Sequence, residues 1–257
     1  VIDPSIPDAS IIALAGLIAG GLNAIATGGT LITYPALLLV GSAALEANAT
    51  SAVGLLVGYI AGAIAYRDEI RNSDGVQSIR LVVLAAAGAI AGTTLLLLTD
   101  EGVFRRIAPI LVLFAVALLA AQPRIARNVR TGSASAGPRP RARWGDLAVI
   151  GCGMYGAYFG AGMGVLIMGV LGILLPLALQ TVNAWKSLLS FVIGSIAVLI
   201  LSFSGLVHWD AAALIAVTSA VGALVGVRIA RRLSTSAIRW GTAVLGIASA
   251  AALIVTG

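Results

Sequence analysis

The chain has little charge and few of the groups that usually carry chemistry. Only 10% of its 257 residues are Asp, Glu, Lys or Arg, against about 25% in soluble domains. It has one cysteine, Cys152, and one histidine, His208. A lone cysteine excludes an internal disulfide, and its plain reading is a small buried apolar residue. The ten acidic residues, among them Glu46, Asp100, Glu101, Asp146 and Asp210, fall in the N-terminal tail, in loops or at the edges of apolar runs. None lies deep in such a run, which disfavours a cation pathway or a carboxylate proton relay. His208 also lies at an edge. No nucleophile–base set or metal-ligand cluster can be assembled, so the expectation is not an enzyme, with no cofactor and no metal.

Apolar residues are what the chain has in excess: 60% of the total, with a mean hydropathy of +1.06. A soluble fold has nowhere to bury this much apolar surface, whereas a bilayer of roughly 30 Å is itself the apolar phase. Transmembrane strands would need segments of about 10 residues with alternating polarity. Here the runs are longer, do not alternate, and are dense in Ala, Gly and Leu, as closely packed transmembrane helices are. They fall near 10–40, 46–66, 79–99, 103–122, 145–176, 181–204, 209–231 and 236–256. The net charge of +6 does not point to nucleic acid, because the basic residues cluster at the ends of the runs and in one linker, as in cytoplasmic membrane flanks. Val1 to Ser10 carries Asp3 and Asp8 and no basic residue, so it does not read as a cleavable signal peptide.

The linker, 123–144, contains Arg124, Arg127, Arg130, Arg139, Arg141 and Arg143 among Gly, Ser and Pro. It separates an N-terminal repeat, 1–122, from a C-terminal repeat, 145–257. With a shift of 135 residues, Gly16 meets Gly151, Gly21 meets Gly156, Gly29 meets Gly164, Leu31-Ile32 meets Leu166-Ile167, and Asn48-Ala49 meets Asn183-Ala184. A shift of 134 pairs Gly88 and Gly92 with Gly222 and Gly226, and Arg105 with Arg239. The Gly88/Gly92 and Gly222/Gly226 pairs read as close helix packing.

The first run of each half is too long for one span and is interrupted, at Asn23 to Thr30 and at Gly160 to Gly164. Glycine there lowers helix propensity and lets the backbone turn. Each run is either one broken helix that crosses or a re-entrant hairpin of two half-helices. Hairpins, with the N-terminus outside, bring Arg67, Arg71, Arg80, the linker, Arg228, Arg231, Arg232 and Arg239 to the cytoplasmic side. Full crossings scatter these residues to both sides, so the positive-inside rule favours hairpins. Three further spans per half then invert one half against the other, a plan that recurs in transporters. The expected fold is thus an all-α polytopic membrane protein of two inverted repeats, each a broken or re-entrant helical hairpin followed by three transmembrane helices.

One charge lies inside an apolar run: Lys186, in Thr181-Val-Asn183-Ala-Trp-Lys186-Ser187. Its plain reading is a snorkelling lysine; its functional reading is a fixed cation for an anionic substrate. Asn183 lies on the same helical face, and Asn48, Thr50 and Ser51 are the matching polar groups of the first half. The interrupted segments offer a second anion feature, since a half-helix starting near Gly28, Gly29 and Thr30 presents N–H groups and a positive dipole end. The segment after Gly162, Met163 and Gly164 does the same. The candidate substrate-binding set is Asn23, Thr27, Gly28, Gly29, Thr30, Asn48, Ser51, Tyr158, Gly162, Gly164, Asn183, Lys186 and Ser187. Trp144, Trp209 and Trp240 read as interfacial anchors.

The stretch from Ala15 to Pro35, AGLIAGGLNAIATGGTLITYP, resembles the opening signature of the TauE/SafE family of sulfite exporters and related anion permeases. Gly156 to Gly164, Asn183-Ala-Trp-Lys186 and Ser204 to Trp209 extend the likeness over nearly the whole chain. The family's first turn often carries a denser glycine run, where this chain has Asn23, Ala26 and Thr27. Its second-half lysine is often followed by asparagine, where this chain has Ser187 and Ser190. The resemblance implies a secondary permease for sulfite, organosulfonates or similar anions, multi-pass in the inner (plasma) membrane. The implied partners are a small anion and the lipid bilayer, with a homodimer as the protein assembly to consider. An anion channel and a non-transporting membrane scaffold or assembly factor are the competing functions.

Overall fold

A computed structural model describes residues 6–25, 28–71, 75–132, 143–174 and 178–230, with single positions 244, 247 and 251. The described residues are helical apart from short connections. In chain order the helices are α1 (Ile6–Ile25), α2 (Thr30–Leu39), α3 (Ala44–Ala65), α4 (Arg67–Arg71), α5 (Gly75–Leu97), α6 (Glu101–Gly132), α7 (Arg143–Tyr158), α8 (Met163–Leu174), α9 (Leu179–Leu201) and α10 (Trp209–Ala230). Three contain stretches long and apolar enough to cross a membrane: Ile79–Leu97, Glu101–Val129 and Gln180–Leu201. Shorter apolar helical stretches are Pro7–Asn23, Thr30–Leu39, Ala44–Ile60, Met163–Leu174 and Trp209–Leu224.

Both long first runs are broken where glycine was expected to break them. The first divides into α1 and α2, the second into α7 and α8. Gly28 stands at φ +142°, and Gly160 and Gly162 at +80° and +72°, a region that L-residues with a Cβ avoid. The other spans agree with the hydropathy reading to within a few residues. Two differences stand out. The five-residue α4 was not anticipated. α6 continues ten residues past the expected end near 122, into the basic linker. Arg124 and Arg127 face out there while Val129 is buried. Arg, Ala and Gln are good helix formers, and Pro123, although inside α6, does not end it. The eighth run, 236–256, lies outside the described residues except at 244, 247 and 251.

The halves are interlaced rather than set side by side. α1 of the first half packs on α10 of the second, and α7 of the second half packs on α5 of the first. Glycine makes both contacts close. A Cβ on Gly20 would stand 1.9 Å from the carbonyl oxygen of Ser219, and one on Gly222 would stand 1.9 Å from that of Leu17. Gly88 and Gly92 meet the carbonyls of Ile150 and Met154 in the same way, at 2.1 and 2.2 Å. Gly88, Gly92 and Gly222 thus have the packing role read from the sequence; the surroundings of Gly226 lie outside the description. α3 and α9 cross at the centre, with α3 also against α10 and α9 against α5. Tyr34, Phe104, Leu31, Leu37, Leu119 and Ile193 are among the fully buried side chains, whereas Leu14, Val83, Ile110, Leu199 and Leu224 are exposed. An exposed apolar perimeter suits contact with lipid. Trp144 and Trp209 are exposed, as anchors would be; Trp240 lies outside the described residues.

Candidate functional site

The two helix breaks lie next to each other. α2 begins at Thr30, and the Oγ1 of Thr30 is 4.0 Å from where a Cβ on Gly160 would stand. Tyr34, one turn along α2, packs edge-on against Phe159 in the second break, with ring centroids 5.6 Å apart. Asn48 of α3 ties the halves together by donating its Nδ2–H to the carbonyl oxygen of Tyr158 at 2.9 Å. Ser51, one turn further along α3, pairs with Thr33 of α2 at 2.5 Å between hydroxyl oxygens. Thr33 also donates to the carbonyl of Gly29 at 3.3 Å. Asn48 is 2% exposed, Thr33 and Ser51 0%, so these bonds lie in the protein interior.

The start of α2 is less open than its glycines suggested. Asn23 accepts hydrogen bonds at Oδ1 from the N–H groups of Gly28 and Gly29, at 3.1 and 2.9 Å. A buried helix start must find partners for its leading N–H groups, and a local Asn side chain is among the best suited. A Cβ on Gly29 would fall 2.7 Å from Asn23 Nδ2, so Gly29 has to be glycine for this cap to fit. Thr27, another residue of the expected set, lies outside the described residues. In the second break, Tyr155 donates its hydroxyl to the carbonyl of Ala161 at 2.6 Å and holds the turn. Gly162 accepts the N–H groups of Val165 and Leu166, and Gly164 is buried in the first turn of α8.

Three polar atoms at these breaks have no partner among the described residues: Asn23 Nδ2, Tyr34 Oη and Asn48 Oδ1. Ser190 Oγ, on α9, has none either. An unpaired buried polar atom costs about 1–3 kcal/mol. Three such atoms at the breaks, with Ser190 apart from them on α9, are therefore a feature to be explained.

Asn183, Lys186, Ser187 and Ser190 follow the i, i+3, i+4, i+7 spacing of one helical face. The hydroxyl of Ser187 donates to the carbonyl of Asn183 at 3.0 Å. Lys186 is partly buried and forms no hydrogen bond or ion pair among the described residues. This stripe does not join the cluster around Asn48 and Ser51. α3 and α9 touch where a Cβ on Gly194 would meet the Tyr59 ring at 2.9 Å. The loop after α9 returns to the first turns of α3, where the His208 N–H donates to Thr50 Oγ1 at 3.0 Å. The two helices therefore run in opposite directions. Ser51 and Lys186, each eight residues before the touching residue (59 − 51 and 194 − 186), lie on opposite sides of the crossing.

Two partners were missed by sequence reading. Thr33 is a threonine inside an apolar helix and gives no pattern signal. The Glu46–His208 pair, 2.9 Å between Oε2 and Nε2, joins residues 162 apart, and only their common place at segment edges hinted at it.

Broken helices meeting at a buried polar centre inside an apolar perimeter are the plan of a membrane transporter. A family profile described as sulfite exporter TauE/SafE matches residues 12–253, and the chain belongs to that family. It is also similar to the "Probable membrane transporter protein ORF9" of a Sinorhizobium species, 25% identical over 244 residues that cover 94% of this chain and 90% of the relative. No solved structure matches the chain.

Proposed function

We propose that the protein moves a small sulfur-containing anion, such as sulfite or an organosulfonate, across the membrane by alternating access. The observation that carries this reading is the cluster where the two helix breaks meet, with Asn23 Nδ2, Tyr34 Oη and Asn48 Oδ1 unpartnered. Asn23 Nδ2 and Tyr34 Oη are donors that the oxygens of an anion accept; Asn48 Oδ1 accepts only, and takes a donor such as a water travelling with the anion. Lys186 contributes fixed positive charge on α9, beyond the α3–α9 crossing, as a second station on the path. The family description and the name of the Sinorhizobium relative favour the same class.

We further propose that both first segments are re-entrant hairpins in inverted repeats, with the N-terminus outside and the linker cytoplasmic. The Glu46–His208 contact supports this. Between those residues the chain runs through α3, α5, α6 and α9, and through the α7–α8 segment. Four crossings return His208 to the side of Glu46; a fifth, if α7–α8 crossed, would set them on opposite faces. Arg80 of α5 pairs with Asp146 of α7, as two residues on one face should. Because α1 packs on α10 and α7 on α5, the bodies that rock are not the sequence halves. One contains α1, α2 and α10; the other contains α5, α7 and α8.

Uptake of sulfite, methanesulfonate and sulfate into proteoliposomes tests the function. Lys186→Gln is expected to reduce anion flux at least about tenfold, the loss of one strong charge-assisted contact. Full flux in that variant removes Lys186 from the path. Flux far above carrier rates makes the protein a channel. No flux, together with no anion-dependent thermal stabilisation, makes it a scaffold.

A further inference from the structure

A polar cavity lies away from the helix breaks, where α2 hands over to α3. α2 ends in a Schellman-type turn, in which the Gly41 N–H donates to the Leu38 carbonyl and the Ser42 N–H to that of Leu37, both at 3.0 Å. Gly41 takes φ +89° to make this turn. Ser42 follows it, is 7% exposed, and has no hydrogen-bond partner at Oγ. It lines a cavity of about 220 Å³ together with Leu38, Ala44, Glu101 and Arg105. Glu101 accepts the Ala44 and Leu45 N–H groups at 2.6 and 2.9 Å, one on each carboxylate oxygen. Its charge is held against the positive end of α3. Arg105 stands four residues further along α6, on the same face as Glu101, and is exposed.

We propose that this cavity is a capture station for a singly charged oxyanion, bound through Arg105 and Ser42 before the anion moves to the helix breaks. The proposal rests on the transport reading. A guanidinium presents several donors to oxyanion oxygens, and the buried Ser42 hydroxyl lacks the partner that an anion oxygen supplies. The volume suits a sulfonate-sized ion. Glu101 sets the charge preference. One guanidinium and one carboxylate leave the wall near neutrality, so a monoanion is accepted and a dianion meets a repulsive group, which is selection by an unfavourable contact. Because Arg105 is exposed, the attraction is screened by salt.

The test is uptake into proteoliposomes at fixed pH and ionic strength, with methanesulfonate as the monoanion and sulfate as the dianion. Arg105→Gln is expected to raise the methanesulfonate KM about tenfold at unchanged Vmax, the loss of one charge-assisted contact. Arg105→Lys keeps most of the affinity. Ser42→Ala raises KM a few-fold, and Glu101→Gln lowers the sulfate KM relative to that of methanesulfonate. An unchanged KM in Arg105→Gln, or a fall in Vmax alone, overturns the proposal. Stabilisation of the detergent-solubilised wild type by short-chain phosphatidylglycerol but not by methanesulfonate also overturns it, because the cavity then holds a lipid phosphate. If wild-type vesicles take up neither anion, the transport reading fails and the capture station with it. If uptake occurs and depends on Lys186 while Arg105→Gln behaves as wild type, only the capture station is lost.

Discussion

Tyr59 and Gly194 touch where α3 crosses α9, and they stand 135 residues apart, the shift that brings the glycines of the two halves into register. A Cβ on Gly194 would lie 2.9 Å from Cδ2 of the Tyr59 ring. When two copies of a motif are related by a two-fold axis, the residues nearest that axis face their own counterparts. The register read from Gly16/Gly151 and Asn48/Asn183 makes Tyr59 and Gly194 counterparts, so their contact at the α3–α9 crossing favours the proposed inverted pair. The exchange of partners elsewhere, α1 with α10 and α7 with α5, has the same symmetry.

Gly194→Ala should therefore lower stability. The added methyl must push the Tyr59 ring aside, an overpacking cost of about 1–3 kcal/mol. The Tm of the detergent-solubilised variant is expected to fall, and Tyr59→Ala in the same chain should recover part of the loss, since contacting sites are not additive. Strict additivity would mean that the two residues do not share the crossing.

The repeat-related glycines should differ in tolerance. Gly16→Ala must displace the Thr218 hydroxyl, 2.1 Å from the new Cβ, whereas nothing lies within 4 Å of a Cβ on Gly151. Gly151→Ala is expected to express and melt as wild type, or slightly above it because alanine favours helix. Gly20→Ala, which runs into the backbone of Ser219, should be the most damaging of the three. Expression level and thermal unfolding rank them.

Asn48→Ala removes the side-chain bond to Tyr158 that ties α3 to the end of α7. Leaving that buried carbonyl unpaired costs about 1–3 kcal/mol. Anion flux should fall by more than the stability loss accounts for, because the bond from Asn48 holds the second helix break in place beside the first. Asn48→Asp, which keeps the shape and adds negative charge, should abolish anion uptake; uptake equal to wild type would take Asn48 off the path.

Cysteine labelling addresses the topology. In a Cys152→Ser background, single cysteines replacing Arg143 and Ser204 are expected to label from opposite faces of the membrane. Labelling of both from one side would mean that the α7–α8 segment crosses fully.

Much of this architecture was legible because the signals were local and physical. Hydropathy located every described span, and Gly28, Gly160 and Gly162 marked the breaks because only glycine takes their dihedrals cheaply. The internal chemistry of the breaks was less legible. Asn23 reads from the sequence as a group aimed at a ligand; that its Oδ1 also caps its own break, a five- and six-residue contact, depends on how the chain turns. Lys186 and Ser51 match under the 135-residue shift, but each lies eight residues before the α3–α9 contact on helices that run in opposite directions, so they fall on opposite sides of it. The extension of α6 was hidden by composition: arginine reads as linker, although it forms helix well when one side of the turn can pack.

That extension bears on how the protein is put together. α6 is the last helix of the first half of the chain, but it lies along α8 of the second. Gly169 sits beneath Ile125, and Gly172 beneath Val129, whose Cγ2 would be 2.1 Å from a Cβ on that glycine. A fusion or truncation cut at residue 122 would thus shear a helix from its neighbour instead of freeing a module. The joint between the two halves behaves as a strut, and the halves should have to be made as one chain, or mixed as fragments divided after Gly132, to assemble at all.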